Sequence, residues 1–220
     1  KADSTTLNMP VYILTSKQTF SGAEDFTYGM QTIKRAIVVG DTTGGGAHPT
    51  DTYNVGMGFI ANIPNRRSLN PYTHTDWEGT GVIPDIAVPA DGALIAARKD
   101  ILTKQLAVAT TDIKKKPIEW AMNLLIAQLD KQNLDSTQLV PYTGTFQGGL
   151  YFYIKGNNLY CRNERRRNVV VKLQHVRNDL FILDEDIQIE FKKDSSSQFS
   201  GIYWYRADGS EAFRIKENIK

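Results

Sequence analysis

Val11-Tyr12-Ile13-Leu14-Thr15-Ser16, Lys17-Gln18-Thr19-Phe20 and Ser21-Gly22-Ala23-Glu24-Asp25-Phe26 follow one another without a gap. The first run is apolar and β-branched, the second is polar, and the third opens a helical period. The spacing predicts a strand, then a helix over 22–35 that turns Phe26, Met30 and Ile33 towards a sheet. Ala36-Ile37-Val38-Val39-Gly40 comes next, short and continuously apolar, as a strand covered on both faces should be. Strand, helix and strand in so short a span form a right-handed βαβ unit with parallel strands. The first part of the chain therefore reads as α/β.

Ser21 stands at the strand-to-helix junction of that unit. A serine there has its hydroxyl at the rim of the sheet, and the next N–H points out of the helix N-terminus, where developing negative charge is stabilised. The same residues also spell a capping box, Ser21 with Glu24 three positions later, so the junction alone leaves nucleophile and helix cap both open. After the second strand comes Asp41-Thr42-Thr43-Gly44-Gly45-Gly46-Ala47-His48-Pro49. Adjacent glycines let the backbone approach a ligand closely, and this triplet follows the carboxyl end of a strand, where open α/β sheets place ligands. It lacks the glycine patterns of nucleotide sites, and a plain connection is the alternative. Gly44, Gly45, Gly46 and His48 are candidate cleft residues. Strands are expected at 52–55 and 58–63, followed by a polar stretch ending in Trp77-Glu78-Gly79-Thr80-Gly81-Val82-Ile83-Pro84-Asp85. Asp85, after Pro84, reads as fixing a turn. Asp91 can cap a helix carrying Leu94, Ala97 and Ile101 on one face, and a second helix over 117–132 puts Ile118, Met122, Leu125 and Leu129 in a core-facing stripe.

Beyond residue 138 the pattern changes to short alternating runs separated by turns. Strands are expected at 142–147, 150–154, 159–162, 169–174, 180–183, 187–191, 201–205 and 212–215, which suggests a small all-β antiparallel barrel or sandwich. Tyr151, Phe152, Tyr153, Tyr160, Phe181, Phe191, Tyr203 and Trp204 suffice to fill its interior. The run Arg162-Asn163-Glu164-Arg165-Arg166-Arg167 reads as a solvated hairpin tip. The expected organisation is an α/β core fragment over 1–104, a helical connector over 105–137 and the β domain over 138–220.

Composition limits the function classes. With 41% hydrophobic and 23% charged residues the chain is globular, and no apolar run approaches the roughly 20 residues a membrane-spanning helix needs. Cys161 stands alone and His48, His74 and His175 lack ligand spacing, so no internal disulfide, metal or other cofactor is implied. A net charge of +2 gives no reason to expect nucleic acid or an anionic membrane as a partner. The opening Lys1-Ala2-Asp3-Ser4-Thr5-Thr6 reads as the middle of a longer protein.

Three motifs occur in order: Thr19-Phe20-Ser21-Gly22-Ala23-Glu24, Val39-Gly40-Asp41-Thr42-Thr43-Gly44-Gly45-Gly46-Ala47, and Glu78-Gly79-Thr80-Gly81-Val82-Ile83-Pro84-Asp85. Together, over about residues 9–96, they resemble the C-terminal processing (tail-specific) protease family, in the branch related to interphotoreceptor retinoid-binding protein and the tricorn core. The resemblance implies a ClpP/crotonase-like α/β fold and a serine peptidase acting on peptide or unfolded protein substrates. The last 80 or so residues resemble the lipocalin-like β domain often appended to bacterial members. The resemblance makes Ser21 the nucleophile, the Gly22 N–H one oxyanion donor and Glu78 a catalytic carboxylate.

The family's bases do not carry over. In tail-specific enzymes a lysine 25 positions after the serine is the base, and position 46 here is glycine. The tricorn-like branch uses a histidine well before the serine, and this chain has none there. The family's upstream Asp-Leu-Arg-x-Asn-x-Gly-Gly strand, source of a second oxyanion donor, is also missing. His48 is a candidate base and otherwise a loop residue of the cleft. The expectation is that the chain partners with N-terminal segments of the same protein, which supply the base, and is inactive or nearly so alone. The alternative is a non-catalytic protein that retains the fold to bind peptides or apolar ligands. Export to a bacterial periplasm or cell surface is implied by the resemblance only.

Overall fold

A computed structural model describes residues 8–129 and 134–217, and the chain divides into two compact units, 1–101 and 102–220. In the first unit β1 (Val11–Thr15), α1 (Gly22–Thr32) and β2 (Ala36–Gly40) form the expected βαβ unit. β1 and β2 pair in parallel, from Val11 opposite Ala36 to Thr15 opposite Gly40. β5 (Ile86–Ala87) adds in parallel on the far side of β2, so β2 is central and its Val38 and Val39 are fully buried. β2 must end in glycine: Gly40 has φ +137°, and a Cβ there would lie 2.0 Å from the Thr15 carbonyl oxygen. β3 (Thr50–Gly56) and β4 (Phe59–Pro64) make a separate two-stranded hairpin.

α1 differs from its expected form in two ways. It stops at Thr32, because Lys34 turns left-handed at φ 55°. It also turns a different face inward. Glu24 and Thr27 are buried, whereas Phe26 and Ile33 are 58% and 53% exposed. The cause is polar: the Glu24 carboxylate has partners only on the inner side, and fixing it there rotates the apolar positions outward. The Gln31 amide, bonded to the Ile83 carbonyl and Asp85, holds the same orientation.

α2 (Ala93–Val108) buries Ala93 and Ala97 against Val39, with Tyr12, Ile37 and Ile86 packed around them. Leu94, expected inside, is 57% exposed; Asp91 lies in the 3₁₀ turn Ala90–Gly92 ahead of the helix rather than at its cap. Small alanines sit inward because they let the helix approach the strand closely.

The second unit starts from α3 (Asp112–Leu129), five residues earlier than expected; the expected end at 130–132 lies outside the described residues. Leu125 is buried, but Leu129 is 45% exposed, so the expected stripe is only partly inward. Ala127 packs with Val176, Leu180 and Ile182 instead. α4 (Ser136–Leu139) is capped by Asp135, and a 3₁₀ turn, Val140–Tyr142, follows. The strand expected from Tyr142 therefore begins at Gly144, since Pro141 suits a helical first turn and has no N–H for a ladder.

Among the described residues of this unit nine strands make two antiparallel sheets. β6 (Gly144–Phe146), β7 (Leu150–Lys155), β8 (Asn158–Asn163) and β9 (Val169–Lys172) form one. β10 (Gln174–Arg177), β11 (Leu180–Asp184), β12 (Ile187–Lys193), β13 (Phe199–Arg206) and β14 (Glu211–Ile215) form the other. The extra strand arises because the 169–174 run divides at buried Leu173: up to there the chain pairs with β8, the Leu173 N–H still bonding the Leu159 carbonyl, and from Gln174 it pairs with β11 in the other sheet. No closed barrel forms among the described residues, since β6 meets the end of β14 only through a bridge between Phe146 and Lys216.

Both sheets contribute to one aromatic core, in which Tyr142 lies 4.8–4.9 Å from Phe181, Phe191 and Phe199 and Phe146 packs edge-on against Phe152. Only half of the expected filling aromatics are inside. Phe152, Phe181, Phe191 and Trp204 are buried, while Tyr151, Tyr153, Tyr160 and Tyr203 point the other way and stack along the sheets. Strand alternation decides this, because residues flanking an inward Phe152 must face outward.

Candidate functional site

The chain reaches Ser21 through a tight turn after β1, in which the Thr19 N–H bonds the Ser16 carbonyl and the Ser16 N–H bonds the Thr19 hydroxyl. Ser21 has φ 53° and ψ −120°, a region L-residues avoid, at a cost of about 1–3 kcal/mol. It is exposed, at the N-terminus of α1. Only the Glu24 half of a capping box closes with a hydrogen bond, the Ser21 N–H donating to the Glu24 carboxylate at 2.8 Å, and the Ser21 hydroxyl closes no cap hydrogen bond. The Glu24 and Asp25 N–H groups go to the Ser21 carbonyl instead, at 2.8 and 3.0 Å. The strained residue is exposed to solvent, and the adjacent Gly22 N–H belongs to the first turn, where a helix has no internal acceptor.

Glu24 organises everything around this serine. It is fully buried, and its two carboxylate oxygens accept four hydrogen bonds. Oε1 takes the Thr43 hydroxyl at 2.5 Å and the Gly45 N–H at 2.7 Å. Oε2 takes the Ser21 N–H at 2.8 Å and the Gly46 N–H at 2.9 Å. Burial alone would raise the pKa of this carboxyl, but the bonds from Thr43, Gly46, Gly45 and Ser21 outweigh it and hold the group below the ordinary carboxylate range. One carboxylate therefore ties the serine turn to the glycine loop, and does so only while ionised.

The glycine loop is held from its other side by the 77–82 turn. The Thr43 N–H donates to the Val82 carbonyl, and the Val82 N–H to the Thr43 hydroxyl at 2.7 Å. The Gly79 N–H donates to Gly45, and the indole of buried Trp77 donates to the Gly46 carbonyl at 3.1 Å. Glu78 Oε2 accepts the Ala47 and His48 N–H groups at 2.6 and 3.0 Å. Gly81 (φ +70°) permits the close approach, since a Cβ there would lie 2.2 Å from the Thr43 carbonyl oxygen. The Asp85 carboxylate accepts the Val38 N–H at 2.7 Å and the Gln31 amide at 3.1 Å, so it ties the middle of β2 to α1.

Two features bear on the base. The Phe20 ring, 56% exposed, lies against the glycines, and a Cβ on Gly46 would be 2.1 Å from its Cζ. No side chain fits at position 46 while Phe20 keeps this place. His48 has both ring nitrogens directed at carboxylates, Nε2 3.4 Å from Asp76 and Nδ1 3.8 Å from Glu78. Asp76 is itself paired to Arg67 at 2.6 Å, and together with the Glu78 and His48 contacts this holds its pKa below the usual range. The structure thus joins Ser21 to Thr43, Gly45 and Gly46 through Glu24 and Gly44 to the Thr19 carbonyl, while Glu78 holds the end of the loop at Ala47 and His48. Phe20, Thr43, Asp76 and Trp77 take part without having been singled out from the sequence. Of the hub itself, the Ser-x-x-Glu spacing was the only trace, and it reads equally as a helix cap.

Residues 1–88 match the model of peptidase family S41. That stretch contains the serine turn, the glycine loop and the 77–82 turn, and ends just past β5.

Proposed function

We propose that the first unit carries the nucleophile-bearing part of a serine peptidase site of the C-terminal processing type. Ser21 Oγ attacks the carbonyl carbon of a peptide bond while its proton passes to a base and from there to the amine as the C–N bond breaks, the Gly22 N–H accommodates the negative charge that develops on the carbonyl oxygen, and water then cleaves the ester on Ser21 to release the acid. The observation that carries this reading is the backbone of Ser21: a strained, exposed serine at a helix N-terminus, in a segment matching a peptidase family. Glu78 shapes the cleft by fixing the Ala47 and His48 N–H groups and is the catalytic carboxylate by resemblance.

The proton acceptor for Ser21 comes from a segment outside these 220 residues. Position 46 has no side chain, the Phe20 ring occupies the space one would take, and His48 lies between the carboxylates of Asp76 and Glu78, with Nε2 3.4 Å from Asp76. The same segment would supply a second oxyanion donor, and without both the chain has little or no activity. The ClpP/crotonase-like core, the lipocalin-like character of the second unit, and an exported bacterial location belong to this reading through the resemblance. Digestion of an unstructured fluorescent peptide tests it. A form extended before Lys1 cleaves, while its Ser21→Ala variant and the 220-residue chain do not; cleavage by the 220-residue chain that survives Ser21→Ala would contradict it.

A second reading, a peptide- or apolar-ligand-binding protein that keeps this fold, is favoured by Phe20, whose half-exposed ring covers Gly46 beside the serine. In that case the extended form binds peptide but never turns it over.

A further inference from the structure

The second unit contains a cavity of about 880 Å³ between the first turns of α3 and the β12–β14 side of the five-stranded sheet, closed at one end by the β10–β11 turn. Its volume is that of a small-ligand site. Its floor is polar: Asn123 and Gln188 are 8% and 3% exposed, and the Asn123 amide N–H donates to Gln188 Oε1 at 2.9 Å. Gln188 Nε2 reaches only the Trp120 carbonyl, at 3.4 Å. Placing two primary amides where a helix packs on a sheet costs desolvation energy that an apolar pair would avoid. Among the described residues the Asn123 carbonyl oxygen has no hydrogen-bond partner, and Asn123 lines the cavity.

The walls restrict the ligand. Trp120 and Tyr205 line them, and the cations Lys116 and Arg177 share no ion pair or hydrogen bond with another described residue. Five carboxylates outnumber three Lys and Arg side chains around the cavity, which disfavours phosphate or another polyanion. The amide floor disfavours a lipid. Planar amide, carboxylate and guanidinium groups offer adjacent donors and acceptors, matching vicinal hydroxyls, and aromatic side chains combine apolar surface with a polar edge.

We propose that this cavity binds a short neutral oligosaccharide, with Asn123 and Gln188 bonding its hydroxyls and Trp120 or Tyr205 against a ring face. The inference does not depend on the peptidase reading. The test is calorimetric titration of the full 220-residue chain with cellotetraose, maltotetraose and chitotetraose, and separately with an unstructured peptide. At least one saccharide should bind with Kd of about 1 mM or tighter, and the Asn123→Leu/Gln188→Leu double variant should bind it at least tenfold more weakly. Replacing both partners together avoids stranding one buried amide, so the variant should stay folded. An unchanged melting curve checks this; a variant that unfolds is replaced by Lys116→Ala/Arg177→Ala at the rim, which should weaken binding severalfold. Failure of all three saccharides, an unchanged affinity in the folded variants, or peptide binding lost in them in its place would overturn the proposal.

Discussion

Replacing Glu24 by glutamine tests the central joint of the first unit, because the two side chains have the same shape and differ only in what they can accept. Four donors converge on the carboxylate, two on each oxygen. An amide has one acceptor oxygen, so in either orientation its NH₂ faces two donors. If it replaces Oε2, the Ser21 and Gly46 N–H groups lose their acceptor; if it replaces Oε1, Thr43 and Gly45 do. Two hydrogen bonds to a charged acceptor at about 1.5–3 kcal/mol each set an upper range of about 3–6 kcal/mol. Removing a buried charge returns part of that, which leaves about 3 kcal/mol. For a unit of this size that lowers the calorimetric midpoint by about 12–24 °C.

Acid sensitivity provides a second readout. The Glu24 carboxyl has a lowered pKa in the folded state, so its contribution is complete above the unfolded-state pKa and is lost as pH falls through the folded one. The wild-type unit should therefore lose stability in the range below ordinary carboxylate titration, and Glu24→Gln should lack that component. A drop of less than about 1 kcal/mol in Glu24→Gln, with an unchanged acid limb, would refute the hub role.

Gly46→Lys should destabilise the first unit, since its Cβ meets the Phe20 ring, whereas Phe20→Ala/Gly46→Lys should fold and react faster with a fluorophosphonate than wild type; equal melting points for the two variants would count against the packing argument. Ser21→Gly should raise the unfolding free energy by about 1 kcal/mol in urea titration, because glycine adopts φ 53° freely and the hydroxyl closes no cap bond that would be lost. A destabilised Ser21→Gly variant would show that the serine is a working cap. Burial pushes the Cys161 thiol up to about 12, so iodoacetamide at pH 8 should leave it unmodified in the native chain and modify it in denaturant; rapid native labelling would contradict its place in the core.

The βαβ unit was legible because continuous β-branched runs have few alternatives, and β2 is buried as its composition required. The inward face of α1 was not. Hydrophobic periodicity assigns Phe26 and Ile33 to the core, but a buried carboxylate with four partners outweighs two apolar contacts, and three of those partners, Thr43, Gly45 and Gly46, are 19 to 22 positions away in the chain. Alternation also hid the division of the tyrosines in the second unit, since a run such as Leu150-Tyr151-Phe152-Tyr153 is apolar on both faces until a core selects one. At the candidate site, Ser21, the glycines and Glu78 stood out by order and spacing. Packing of Phe20 over Gly46 and the pairing of His48 with Asp76 are contacts between segments, which no local pattern records.

Fluorophosphonate labelling read by intact mass and peptide mapping addresses Ser21 most directly. A form of the protein extended before Lys1 should take up one adduct, on Ser21, and its Ser21→Ala variant none, while the 220-residue chain should react only at the rate of an unactivated serine. An extended form that stays unlabelled, or carries its adduct on another residue, would contradict the assignment of Ser21 as the nucleophile.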